Sequence, residues 1–174
     1  MYIFIDSEFT TLSHTASLLS FAAISEDGRE FYCELAPLPL GECSDFVRAN
    51  VLPLFTGGAA TCPRHAFGER LGTWLAQFAD PLLVGDSDWD IYVLRGAITG
   101  KSERRPGLVN FPIPGGTLAC MLLTMAPLAS EEMSVFAAAQ QRHFAADARR
   151  HHALVDARAL RAGLLAVAEV RKPA

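Results

Sequence analysis

Long apolar runs are missing from this 174-residue chain, although 51% of its residues are hydrophobic. Stretches such as LACMLLTMAPLA are too short or too interrupted for a bilayer, which needs about 20 consecutive apolar residues. The first residues also lack the basic-then-apolar layout of a secretory leader, because acids arrive at Asp6 and Glu8. A soluble, cytoplasmic protein with no membrane partner is expected. Cysteine is sparse: Cys33, Cys43, Cys62 and Cys120 show no CxxC spacing and no neighbouring histidine in a zinc-like pattern. That excludes zinc ribbons and dithiol redox centres and leaves reduced, structural thiols. Net positive charge is missing too, with 15 Lys and Arg against 19 Asp and Glu, a balance of −4. A broad basic surface for long nucleic acid is therefore excluded, and any such contact must be local, short or carried by metal ions. Internal repeats and low-complexity tracts are absent, so one domain over residues 1–174 is the expectation.

What is present is an alternation of strand-like and helix-like segments. Residues 2–7, SLLSFAAIS (17–25) and REFYCEL (29–35) read as strands, with EDG at 26–28 as the turn between the last two. Together they predict an antiparallel meander. Ser44 is a plausible N-cap for a short helix ending near Pro53. Phe67, Leu71, Trp74, Leu75 and Phe78 recur at helical spacing, so a helix is expected from about Pro63 to Phe78. PLLVG (81–85) is a short buried strand and DIYVLRGAI (90–98) a helix. GLVNFPI is a further short strand, and helices are expected near 117–125, 130–145 and 152–170. The result is a layered α/β domain built on one mixed sheet.

Three acidic groups stand out. In YIFIDSEFT, Asp6 and Glu8 lie two apart on a strand, so they point the same way and sit about 6.6 Å apart. Two like charges at a partly buried strand end need an offset. In GDSDWD, Asp86, Asp88 and Asp90 fall where a buried strand passes into a helix, the end at which open α/β sheets bind ligands. In RHHALVDARAL, His151 and His152 precede Asp156 on a helix. Each group has a plainer reading: an exposed strand end, a helix cap formed by Ser87 with Asp90, and a charged helix face. Carboxylates converging on one spot would instead require cations, and all-oxygen ligands suit Mg²⁺ or Mn²⁺.

DSEFTTL, LVGDSDWDIYVL and HHALVDARAL resemble, in order, the three motifs of the DEDDh 3′→5′ exonucleases, the superfamily of RNase T, oligoribonuclease and the proofreading subunits. The resemblance runs from about residue 1 to 165. Histidine, any residue, Ala-Leu, any residue, Asp-Ala is its most specific part. It implies an RNase H-like fold with a central mixed five-stranded sheet, the first three strands antiparallel, flanked by helices. It implies two Mg²⁺ or Mn²⁺ ions held by Asp6, Glu8, Asp90 and Asp156, with His151 as general base. Thr10 and Leu12 match positions that cradle the terminal nucleotide, and Phe9 adds a ring that could stack on a base. The implied activity is removal of nucleoside 5′-monophosphates from single-stranded or overhanging RNA or DNA 3′ ends, RNA ahead of DNA. Relatives of this size often pair, so a homodimer is a further expectation. The alternative is a binding module of the same fold whose catalysis has decayed.

The chain departs from the family pattern in two places. FTTL stands where Thr-Thr-Gly-Leu is common, and GDSD where Gly-His-Asn precedes the aspartate, which leaves Asp86 as a competitor to Asp90. The histidine is also open on geometry. In a continuous helix His152 shares a face with Asp156 and His151 does not, whereas the resemblance selects His151 in a loop ahead of the helix. Arg142, Arg149 and Arg150, and separately Lys101, Arg104 and Arg105, are candidate contacts for a substrate backbone or solvated surface. His14, His65 and His143 read as surface or packing residues.

Overall fold

A computed structural model of the chain describes residues 1–101, 108–114, 116–122 and 128–172. The strands β1 (Tyr2–Phe9), β2 (Leu18–Ser25) and β3 (Glu30–Ala36) form the expected antiparallel meander. The β2–β3 turn closes with Ser25 N–H donating to the Arg29 carbonyl, and Gly28 takes a φ of +88° that a Cβ would resist. Next come β4 (Thr61–Pro63), β5 (Leu82–Gly85), β6 (Leu108–Ile113) and β7 (Gly116–Leu122). The sheet order is β4-β3-β2-β1-β5-β7-β6, with β5 parallel to β1, β7 parallel to β5, β4 parallel to β3 and β6 antiparallel to β7.

The sheet is therefore seven-stranded and mixed, not five-stranded. The two strands beyond the expected five are β4 and β7, while the edges of the sheet are β4 and β6. β4 has only three residues and ends on Pro63, and β6 contains Pro112, both of which blunt an edge. A three-residue strand carries too little alternation to be read from sequence. A second correction concerns the helix expected near 117–125. Residues 116–122 are the inner strand β7, and 123–125 lie outside the described residues. The cause is that short apolar runs do not separate helix from buried strand. Leu118 and Cys120 alternate into the core, and β7 is held between β5 and β6.

The helices are α1 (Asp45–Asn50), α2 (Phe67–Leu75), α3 (Asp88–Thr99), α4 (Ser130–Ala146) and α5 (Ala153–Val170). α2 is shorter at both ends than its periodicity suggests, because residues 64–66 form a single 3-10 turn. Phe67, Leu71 and Leu75 of α2 join Ile91, Tyr92 and Leu94 of α3 against Ile3, Ile5 and Phe21 on one sheet face. On the other face, Ala153, Ala157, Leu160 and Val167 of α5 form the apolar stripe that packs on Phe4, Ala22 and Ile24. Gly163 lets the Phe136 ring of α4 lie directly on α5, where an added Cβ would meet it at 2.5 Å. All four cysteines are free and buried, as expected. Among the described residues no helix is long and apolar enough to cross a membrane.

Candidate active site

The three acidic groups meet at the C-terminal end of β1. Strand pairing sets Asp6 opposite Ala22 and Glu8 opposite Ser20, so both acids project on the α5 side of the sheet. The register shifts just after Glu8, an irregularity that re-aims Phe9 and ends the regular ladder. β5 lies beside β1 and delivers Asp86 at its end. Ser87 then caps α3, its hydroxyl accepting Trp89 N–H, and Asp90 sits in the first turn. Asp156 occupies the first turn of α5, where the positive end of the helix dipole favours an acid.

Two triplets of ligand atoms result. Asp6, Asp86 and Asp90 each offer a carboxylate oxygen within 4.8 Å of the others, and Glu8, Asp156 and a His151 ring nitrogen do the same. A cavity of about 450 Å³ opens here, lined by Asp6, Glu8, Asp90, His151 and Asp156 together with Phe9, Leu12 and Phe46. That volume falls in the range of small-molecule sites. Asp86 and Asp90 both belong to the first triplet.

Burial is the leading cause of the acids' altered proton affinity. The Asp6 carboxyl is pushed well above its ordinary range by burial first, then by the charges of Asp90, Glu8, Asp156 and Asp86. Glu8 is pushed up to about 8 by burial and by Asp156 and Asp90. Asp90 is also pushed up to about 8 by burial, with Ser7 pulling it down and Asp86 adding to the rise. Asp156 is pushed up to about 6 by burial, against the lowering effect of the His151 N–H and the nearby charges of His151 and Arg150. Asp86 is exposed as a residue, yet enough protein surrounds its carboxyl for burial to raise it.

The hydrogen bonding is incomplete in a telling way. Asp90 Oδ1 accepts from Ser7 Oγ at 2.6 Å and Ser7 N at 3.1 Å, but its buried Oδ2 has no partner among the described residues. Asp156 Oδ2 accepts from His151 N at 2.8 Å, and its buried Oδ1 also has none among them. Glu34 gives the contrast. It is equally buried, yet its carboxylate accepts from Thr56 N, Gly57 N and the Tyr32 hydroxyl, the arrangement of a structural acid. Buried carboxylate oxygens without donors, grouped with like charges, fit hard divalent cations such as Mg²⁺ or Mn²⁺.

The two adjacent histidines go to different places. His152 is buried as the N-cap residue of α5, its ring stacked on Tyr32 at 4.7 Å, and burial lowers its pKa. His151 is exposed, takes a φ of +67° and lies edge-on to Phe46 at 5.0 Å over the cavity. A non-glycine residue in the left-handed region is uncommon and concentrates at functional positions. The His151 N–H bond to Asp156 holds the loop in this shape, and α5 begins two residues later at Ala153.

Phe9 and Leu12 line the cavity, Leu12 standing 73% exposed, whereas Thr10 is fully buried and absent from the wall. The Thr10 hydroxyl accepts Ser17 N–H, and its carbonyl accepts Ser44 N–H, which docks α1 against the end of β1. Thr11 takes the wall position instead. Phe46, brought in by α1, is a wall residue that sequence pattern did not single out. It stands 53% exposed on α1, a position that only the folded structure reveals. Arg149 is clamped by Asp147 at 2.7 Å, and Arg150 lies over the Phe144 ring at 4.3 Å. Arg104 and Arg105 lie outside the described residues.

Two curated 3′-5′ exoribonucleases of Mycobacterium tuberculosis, Rv2179c of strain H37Rv and MT2234.1 of strain CDC 1551, are similar to part of this chain. Each is 38% identical over 53 residues, 30% of this chain and 32% of the relative. The match thus spans about a third of these relatives' length. No family model matches the sequence.

Proposed function

We propose that this chain is a metal-dependent 3′→5′ exonuclease, a single domain over residues 1–174 on an RNase H-like fold. It would remove nucleoside 5′-monophosphates from single-stranded or overhanging 3′ ends, RNA ahead of DNA. The observation that carries this reading is the convergence of Asp6, Glu8, Asp90, Asp156 and His151, from three distant segments, on one cavity. The partial likeness to two exoribonucleases supports it.

In this reading Asp6, Glu8, Asp90 and Asp156 hold Mg²⁺ or Mn²⁺, which when bound supply charge to neutralise a phosphodiester and acidify water. The chain's own groups do the remainder. Phe9, Leu12 and Phe46 form an apolar rim that grips the terminal base and ribose, so that only a free end enters. His151 takes the proton of the attacking water, the role for which imidazole is suited near neutral pH. Oxygen of that water bonds to phosphorus, the bond to the upstream 3′ oxygen breaks, and that oxygen takes a proton from solvent. Arg150, exposed beside the cavity and braced on Phe144, meets the backbone phosphates.

The test is digestion of end-labelled single-stranded RNA and DNA, with free and blocked 3′ ends, in Mg²⁺ and in Mn²⁺. Release of 5′-monophosphates from free 3′ ends only is expected. Tight binding of a nucleoside monophosphate without turnover in either metal would overturn it in favour of a decayed binding module.

A further inference from the structure

We infer that Asp86 is a fifth carboxylate of the cation site, a ligand beyond the four acids of the exonuclease reading on which this inference rests. One of its oxygens lies within 4.8 Å of ligand oxygens of both Asp6 and Asp90. The second observation is the state of Asp90. That residue is only 2% exposed, its Oδ1 is occupied by Ser7, and its buried Oδ2 has no donor among the described residues. The carboxylate that carries this oxygen shares a triplet with two further carboxylates, and its unfilled bonding capacity is one that a divalent cation would fill. Glu34 again marks the alternative, since a buried acid with a structural task in this protein is saturated by backbone N–H groups.

Position in the fold explains why Asp86 reaches the cluster. Gly85 ends β5 beside β1, and its lack of a side chain lets Ile5 and Asp90 close to 3.4 and 3.6 Å of where a Cβ would stand. The chain then bends into the Ser87 cap, and the Asp86 carboxyl stays on the same sheet edge as Asp6. Asp88, two residues on, is not part of either triplet.

The experiment is a Mn²⁺ titration followed by the electron paramagnetic resonance signal of free Mn²⁺, on wild type, Asp86→Asn and Asp80→Asn. Asp80 is an exposed residue ahead of β5, at the opposite end of that strand from Asp86, and its φ of +46° suits asparagine, so it controls for the loss of one charge. Asp86→Asn is expected to weaken Mn²⁺ binding at least about tenfold or to lose one class of site, a change of the size that a lost ligand contact brings. Asp80→Asn should titrate as wild type. Melting in EDTA separates a ligand from a structural brace: Asp86→Asn should be as stable as wild type or more so, because a like charge is removed. A titration of Asp86→Asn indistinguishable from wild type overturns the inference and leaves the nuclease reading standing. A wild type that binds no Mn²⁺ overturns both. A lowered EDTA melting point with unchanged affinity assigns Asp86 to the fold and also refutes the inference.

Discussion

Asp156→Asn should stabilise the metal-free protein, by an amount that grows with pH. The Asp156 carboxyl is raised from 3.8 to about 6, and about two units at roughly 1.4 kcal/mol each make about 3 kcal/mol. The sign follows from proton linkage. Between about pH 4 and 6 the native state holds a proton that the unfolded chain has released, so wild-type stability falls as pH rises through this window. Asparagine keeps an oxygen for the His151 N–H and carries no charge, so the variant escapes that loss. The relief extends toward pH 8, because Glu8, raised to about 8, has Asp156 as its leading charged neighbour. Taking the difference between two chains cancels the titrating groups that do not feel Asp156, including buried His152, whose lowered pKa works in the opposite direction. Urea denaturation in EDTA from pH 4 to 8.5 measures the effect. The curves should coincide near pH 4 and separate by about 3 kcal/mol above pH 7, roughly 6–12 °C in melting temperature for a chain of this size. Excess Mn²⁺ should reverse the order, since a ligand at a thousand times its dissociation constant adds about 4.1 kcal/mol to the form that binds it. A difference that is zero, negative or independent of pH in EDTA would refute the claim that these acids repel one another in a shared, partly dry site.

Replacing Asp6 or Glu8 with Ala should abolish nuclease turnover while the EDTA melting point stays level or rises, as circular dichroism would report. His151→Ala should cost at least about a hundredfold in kcat. His152→Ala should cost stability instead, about 2 kcal/mol by urea denaturation, because a buried ring stacked on Tyr32 is lost. If the two histidine variants exchange phenotypes, the assignment of the base is wrong. Arg150→Ala should lower the slope of log KM against log salt by about 0.7, the value for one phosphate contact on a single strand, and an unchanged slope would remove Arg150 from the binding path. Gly163→Ala should destabilise the α4–α5 packing by about 1–3 kcal/mol, because its methyl meets the Phe136 ring at 2.5 Å. Activity per folded molecule should not change.

Local pattern and propensity carried the meander of β1, β2 and β3, the stripe of α2, the helical character of α5 and the caps at Ser44 and Ser87. Each of these depends on neighbours within a few residues. β7 was misread as helix and β4 passed unnoticed, because a short apolar run or a three-residue edge acquires its conformation from partner strands. The alternation in YIFIDSEFT also determined that Asp6 and Glu8 share a face, and the spacing of HHALVDARAL singled out Asp156 with a histidine ahead of it. The choice between His151 and His152 depended on whether helix geometry continued through both. The turn at His151, with φ of +67° and its N–H on Asp156, ends that continuity and sends one ring to the cavity and the other to the core.

What the chain determined by itself was therefore the set of acids and the side of each element that bears them, since these follow from periods of 2 and 3.6 residues. Only the tertiary structure decided that Asp6, Glu8, Asp86, Asp90 and Asp156 become neighbours, that Asp86 lies close to both Asp6 and Asp90, and that Phe46 lines the wall. Separations of up to 150 residues are bridged by sheet order and helix docking, and the desolvation that makes these charges costly exists only after the chain has closed around them.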